Sequence, residues 1–545
     1  MSPASPYSES RLALPGAWEK RDWIALGSMV LLAALVRVVF FTGYFGSDDV
    51  NSSEAAIAIT NGQWPATRYL ASLRYGISLP MAAFITIFGL TEFTATAWAL
   101  VCSVAEVALV FGVARAVWDL RAAVLAGGIL GLTPLHVHLG GQPTGDAPLA
   151  LFVTLSLALF LIAETRRHPG WYLATGLAVG CTFWVKESAI VYTGVFVVYA
   201  LVRRTWNARW LWVIVGAGIV VTANALLFLA LTGDAFHYFK VIVQRRQVHE
   251  AVISSRGSQP VWLYFYYLFV DLRHTWLLSY LTLGGLLVWL TRGADARRAS
   301  PGARFVVIWG LGLFGVLTFL VIKLQPLTFI FKQTNYMLIF LAPFALLGGF
   351  FLASLRTPLL VPVLLVFVTG GVALSGLEQQ AIRSFTANSR AAWVFAKEHA
   401  AVPIFATEHA VNMASILSRL DHSRDGTPRI KSLAAARSHL ADGRAGDAAL
   451  KEPGTRAYVI IDFETISWGD DPRIGPRDIP GCWQRVMQLE PLGLGAGARV
   501  ASALRRAADW LPGAVGRKLA GRLDGLIRPK PAFAYRIPAD CTATV

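Results

Sequence analysis

Long apolar runs separated by short, basic connections fill the first two thirds of this chain. Runs of roughly 17–25 residues, the length that crosses a hydrocarbon core, lie at about 23–45, 93–117, 121–139, 147–164, 170–186, 188–203, 209–232, 275–291, 304–323, 335–355 and 357–376. They predict an α-helical polytopic membrane protein with about 11 transmembrane helices over residues 23–376. The connections after the second, fourth, sixth, eighth and tenth runs are rich in arginine, with Asp119, Glu164 and Asp295 as their only acids. Short basic connections mark the cytoplasmic side. The N-terminal segment 1–22 is then cytoplasmic, while the loops 43–92 and 233–274 and residues 377–545 are external. The polar start shows no cleavable leader, so the first run is expected to stay as an anchor.

The pattern changes after residue 377 to Ala, Gly, Arg and Asp. "SRAAWVFAKEHAAVPIFATEHAVNMASIL" reads as helix, short strand, helix, and "RAYVIIDFETI" as a buried strand, so a small C-terminal external α/β domain is expected. Within it, Glu408 and His409 read as an ordinary exposed pair. The stretch 499–536 holds nine basic residues against two acidic, a composition suited to anionic lipid.

Composition agrees with the pattern. The 545 residues are 55% hydrophobic and 15% charged, and the mean hydropathy is +0.53. A net charge of +16 raises the question of nucleic acid. Much of that charge lies in the orientation-setting connections and the rest on the external side, so nucleic acid is excluded as a partner and membrane lipids are retained. Four cysteines form no CxxC pair, which argues against zinc or thioredoxin-like chemistry. Cys482 and Cys541, external in this topology, sit on an oxidising side and could form a disulfide, although sequence alone leaves their pairing open.

Ionisable residues gather where apolar runs end on the external side. Asp48 and Asp49 follow the first run in "GYFGSDDVNSSEAAIAITNGQW", and "DDVNSSEAAIAIT" reads as a helix stopped at Asn61-Gly62. "RYLASLRYGISLPMAAFITIFG" carries an apolar segment too short to span, expected along the interface. Asp146 stands at the start of the fourth run in "PLHVHLGGQPTGDAPLALF", and Lys186 and Glu187 at the end of the fifth. Charges at such positions are costly and point to function. The expectation is that Asp48, Arg74, Asp146 and Lys186 border one external cleft. His136 and His138 with Asp146 offer a divalent metal site, although no strong metal motif exists and no cofactor is required.

The stretches "SDDVNSSEAAIAITNGQW", "SLRYGISLPMAAFITIFG", "PLHVHLGGQPTGDAPLALF", "GLAVGCTFWVKES" and "KQTNYMLIFLAPFALLGG" occur in the order and spacing of the glycosyltransferase family 39-like proteins of the GT-C class. The chain resembles these over about residues 25–355, a group that includes aminoarabinose transferases to lipid A and protein O-mannosyltransferases. The resemblance implies transfer of a sugar from a polyprenyl-phosphate carrier to an acceptor protein, lipid or polysaccharide on the outer face of the cytoplasmic (inner) membrane. It puts Asp48 in the position of the catalytic carboxylate, Asp49 beside it, and Glu54 at a further acid. Arg74, followed by Tyr75, matches the basic residue of the loop, and Asp146 the aspartate after the third span. Three departures stand out. Asp49 replaces the usual Glu, "RYGISLP" replaces Lys-Pro-Pro, and "TNY" replaces Arg-Tyr, leaving Lys332 and Tyr336 as the nearest substitutes.

The chemistry suits these residue types. A carboxylate takes the proton of an attacking hydroxyl, and fixed cations stabilise the charge growing on the departing phosphate. Arg74 can grip phosphate bidentately; Lys186, Lys332, Arg245 and Arg246 are further cations. One-step attack inverts the anomeric centre. A lipid or solute transporter using Asp146 and Lys186 as a coupling pair is the alternative, but it leads one to expect internal repeats, which are not visible.

Overall fold

The computed structural model describes residues 18–67, 69–204, 207–245, 259–293, 300–325, 327–421, 430–436, 454–469 and 474–541. Among them, seven helices are long and apolar enough to cross a membrane. An eighth span results if the Leu120–Leu132 and Pro134–Gly140 helices, bent by 63° at their junction, count as one. The break has a local cause: Pro134 cannot continue the hydrogen-bond ladder and holds Thr133 in an extended conformation.

The remaining apolar runs form shorter helices. The run at 170–186 gives Pro169–Val185. The run at 188–203 begins as a 3₁₀ turn, Glu187–Thr193, before the Gly194–Arg203 helix. The run at 275–291 yields Leu278–Thr291. The helices of the 43–92 loop form as the sequence suggests, at Asp48–Thr60 and Tyr75–Phe88.

The described chain divides into two compact units. The first comprises Met1–Val39, Ala58–Ala83 and Ala97–Ser375, and holds most of the apolar helices. The second joins Gly376–Val545 to Phe40–Ile57 and Phe84–Thr96, so the 43–92 loop is shared out between the units.

Among the described residues, the sheets are a two-stranded pair, β1 (Val321–Lys323) and β2 (Thr328–Phe329), in the first unit and a five-stranded sheet in the second. The larger sheet contains β3 (Ile404–Ala406), β4 (Ile430–Ser432), β5 (Thr455–Asp462), β6 (Gln484–Leu489) and β7 (Ala532–Pro538) in the order β4-β3-β5-β7-β6. β3 pairs in parallel with β4 and β5, and β7 runs antiparallel to β5 and β6. β5 is apolar nearly throughout because both its faces are covered. Tyr458 and Ile460 pack with Trp393, Phe395 and Ala410 on one side, and Val459 and Ile461 with Phe405 and Trp483 on the other. Cys482 and Cys541 form a disulfide that ties the start of β6 to the end of β7.

Candidate functional site

In the first unit, four of the residues singled out from sequence come together. Asp146 is the first residue of the Asp146–Arg166 helix, where a carboxylate meets the positive end of the helix dipole. Lys186, at the C-terminus of Pro169–Val185, donates from Nζ to Asp146 Oδ1 at 3.0 Å, and Asn335 Nδ2 donates to the same oxygen at 3.1 Å. Arg74 grips Glu187 with both arms of its guanidinium, Nε to Oε2 at 3.1 Å and Nη2 to Oε1 at 3.0 Å. Tyr238 donates to Glu187 Oε2 at 3.2 Å, and the Lys186 ammonium sits 4.8 Å from the centre of the Tyr336 ring. All four charged side chains are largely buried.

Close backbone approach makes the cluster possible. A Cβ on Gly76 would lie 2.9 Å from the Trp184 backbone, so glycine there lets the start of Tyr75–Phe88 press against the end of Pro169–Val185. Arg74 and Lys186 thereby become neighbours. Burial disfavours the Lys186 ammonium, and the Asp146 carboxylate beside it compensates. Glu187 is likewise desolvated, yet Arg74 and then Lys186 hold its carboxyl below the ordinary range.

The other sequence candidates of this unit stand differently. Tyr75 is fully buried and its hydroxyl donates to the Pro65 carbonyl at 2.5 Å, so it packs the loop. Lys332 is buried under the Phe329 ring, its Nζ 3.4 Å from the Ile330 carbonyl, and burial lowers its pKa. Arg245 lies over the Tyr69 ring. Arg246 falls outside the described residues.

His136 and His138 are both buried, and the ring of His136 is committed to other side chains. Arg37 donates to its Nδ1, and because a guanidinium only donates, the proton is on Nε2, which donates to Glu106 Oε2 at 3.0 Å. Thr154 donates to the other Glu106 oxygen at 2.8 Å, and Arg37 Nε to Ser103 at 2.6 Å. Among the described residues no three His, Cys, Asp or Glu side chains form a metal-binding group.

In the second unit, the paired aspartates part company. Asp48 is exposed, as is Glu54. Asp49 is buried, and its carboxylate accepts backbone N–H groups from Phe45 at 2.5 Å, Gly46 at 3.1 Å and Ser47 at 2.5 Å. Burial raises its pKa, with those N–H bonds opposing. Asp49 therefore shapes the turn that presents Asp48.

Residues from the C-terminal part of the same unit hold that turn from outside. Gln379 Nε2 donates to the Phe41 carbonyl at 2.6 Å. Tyr44 N–H donates to Glu92 Oε1 at 2.9 Å, and Arg390 meets the same oxygen at 2.6 Å. Phe45 packs against Phe385 and Trp468. His409, expected to be exposed, is fully buried, because the Phe45, Phe385 and Trp468 rings surround it. Its Nε2 donates to the Phe45 carbonyl at 2.7 Å and its Nδ1 pairs with Ser389 at 2.8 Å. Burial lowers its pKa to about 4, the bond to Phe45 opposing. Gly46 has a φ of 95°, and any Cβ there would stand 2.7 Å from His409 Nε2, so only glycine fits.

Sequence reasoning passed over Arg37, Glu106, Glu92 and Arg390. The first two carried a usable signal, since each interrupts an apolar run.

Residues 76–228 match the family model of the dolichyl-phosphate-mannose-protein mannosyltransferases. Among solved structures, the chain is similar to ArnT from Cupriavidus metallidurans bound to undecaprenyl phosphate, with a TM-score of 0.56 and 16% identity over 82% of this chain and 94% of that one. The apo state of the same protein gives 0.52 and 17% over the same shares. The archaeal oligosaccharyltransferase AglB from Archaeoglobus fulgidus, in complex with an inhibitory peptide and a dolichol-phosphate, gives 0.50 and 14% over 82% of this chain and 70% of that one. No curated protein matches the chain by sequence. The chain has the GT-C membrane fold, with a small C-terminal sheet region.

Proposed function

We propose that this protein is a glycosyltransferase that moves a hexose or pentose from a polyprenyl-phosphate carrier to a hydroxyl-bearing acceptor on the outer face of the cytoplasmic membrane. The observation that carries the reading is the buried set of Arg74, Glu187, Lys186 and Asp146, in a fold shared with a protein that binds undecaprenyl phosphate. Buried cations on rigid helix ends suit a lipid phosphate, whose charge grows as the glycosidic bond lengthens. Arg74 supplies the bidentate fork and Lys186 the point charge. Asp146 and Glu187 keep both cations in place and ionised before the donor arrives.

Asp48, exposed at the head of its helix, takes the proton of the acceptor hydroxyl as that oxygen attacks the anomeric carbon. One displacement inverts the centre, and the electron pair of the broken bond leaves on the carrier phosphate. The Cys482–Cys541 disulfide supports an oxidising, external location for the C-terminal part.

The test is turnover. Full-length protein in nanodiscs is given polyprenyl-phosphate-linked pentoses and hexoses, and release of the free carrier phosphate is followed. Carrier release that requires an acceptor supports the reading. Movement of lipid or solute across the membrane by a protein that cleaves no carrier-linked sugar would overturn it in favour of transport.

A further inference from the structure

The helices Ala496–Ala508 and Gly513–Ile527 fold back on each other as a hairpin. Arg505 reaches Asp509 at 2.5 Å and Asp524 at 2.9 Å, and Ala508, Ala520 and Leu523 form the seam. The hairpin is fastened to one short piece of the Thr357–Glu398 helix. Leu377 packs on the seam, Gln379 Oε1 accepts from Gly497 N at 2.6 Å, and Gln380 Nε2 donates to the Leu526 carbonyl at 3.0 Å. In sequence these residues directly follow the apolar stretch 357–375, which at 1.5 Å per residue is enough helix to fill a hydrocarbon core. The attachment therefore lies where the polypeptide leaves the apolar layer.

The outer side of the hairpin is apolar and uncovered. Trp510 is 90% exposed, Val515 69%, Leu511 45% and Leu519 40%. Val515 and Leu519 are one helical turn apart, and Lys518 and Arg522 border them on the same face. Arg506 and Arg517 are exposed as well. Tryptophan at a tip, an aliphatic stripe and flanking cations form the chemistry of a segment lying at a lipid interface. Water alone gives no account of a tryptophan held 90% open.

We infer that the Ala496–Ile527 hairpin docks on the anionic headgroup surface of the membrane that this chain itself spans. Trp510, Leu511, Val515 and Leu519 enter the boundary between headgroups and acyl chains, and Lys518 and Arg522 meet lipid phosphates. The docking does not depend on the transferase reading and can be tested without turnover.

Hydrogen exchange of the full-length protein is compared in zwitterionic nanodiscs, in nanodiscs containing phosphatidylglycerol, and in detergent. Peptides covering 507–522 should exchange most slowly in the anionic discs, while those of β5 stay constant. Replacing Lys518→Glu together with Arg522→Glu should remove the difference between the two lipids, at roughly a fivefold loss of surface affinity per cation. Replacing Trp510→Ser with Val515→Ser should remove protection in both discs, and both double variants should keep the β5 rates of the wild type. Equal exchange of 507–522 in all three environments overturns the inference. So does protection that persists in detergent and rises with protein concentration, which would assign the face to a second copy of the chain.

Discussion

Asp49 and Asp146 are both buried aspartates in the first turn of a helix, and their surroundings satisfy them in opposite ways. Asp49 is met by peptide N–H groups of its own turn. Asp146 is met by an ammonium and an amide brought from distant elements. A carboxylate held by its own backbone fixes a local shape and has no further bonding to offer. A carboxylate held by a side-chain cation from another element belongs to a charge set whose bonds an arriving anion can share. The comparison sets a locally satisfied carboxylate apart from one held by distant side chains, among residues that look alike in sequence.

The largest expected effect tests that separation within the adjacent pair. Asp48→Asn should lower sugar transfer by ~10²–10⁴-fold, as for a lost general base, without moving the melting temperature. Asp49→Asn should do the reverse. It loses charge-assisted bonds at a buried site and should destabilise the protein by about 2 kcal/mol, with a smaller effect on the turnover of the folded fraction. Thermal unfolding and carrier release, measured on the same preparations, decide it. If Asp48→Asn transfers like wild type, the catalytic assignment fails.

The second test uses His409, which holds the same turn from outside. Its pKa falls from the ordinary 6.5 to about 4 in the folded protein. Between those values the unfolded chain binds a proton that the folded chain does not, so stability falls as pH drops from 6.5 towards 4. The loss should reach about 3 kcal/mol, at 1.36 kcal/mol per unit. His409→Gln keeps an N–H for the Phe45 carbonyl and removes the titration, so its melting curve should lose this part of the pH dependence. An unaltered pH profile in that variant would show that the turn is held by other groups.

The smallest effect concerns the cation set. Arg74→Lys keeps the charge but cannot reproduce both bonds to Glu187. The rate at saturating donor should fall by about tenfold, and Arg74→Ala should fall further. A change confined to donor affinity would mean that Arg74 binds the ground state and the transition state equally well.

Much of the fold was legible because apolar runs and basic connections are local signals. The long helices, the loop helices and the apolar strand β5 all follow from them. The run at 121–139 hides a bend and the run at 275–291 forms a helix only from Leu278, because composition does not reveal where Pro134 bends a helix or where a helix begins. In the candidate site, Arg74, Asp146, Lys186 and Glu187 were found because charges at the ends of apolar runs are conspicuous. The grip of the C-terminal region on the Asp48 turn was not legible. It depends on contacts such as that between Glu92 and Arg390, 298 residues apart, and an isolated Glu-His pair carries no periodic sign of burial.

The buried group of Arg37, Glu106 and His136 bears on how the protein is made. Arg37 is on the Lys20–Val39 helix, while its partners Ser103 and His136 follow 66 and 99 residues later. A charged side chain in bare hydrocarbon costs at least about 2.5 kcal/mol, so the Arg37 charge is fully met only once the segments carrying Ser103 and His136 pack beside the Lys20–Val39 helix. The Lys20–Val39 helix is thus made before the side chains that satisfy it, and Ser103 and His136, the latter held by Glu106, close the site around it.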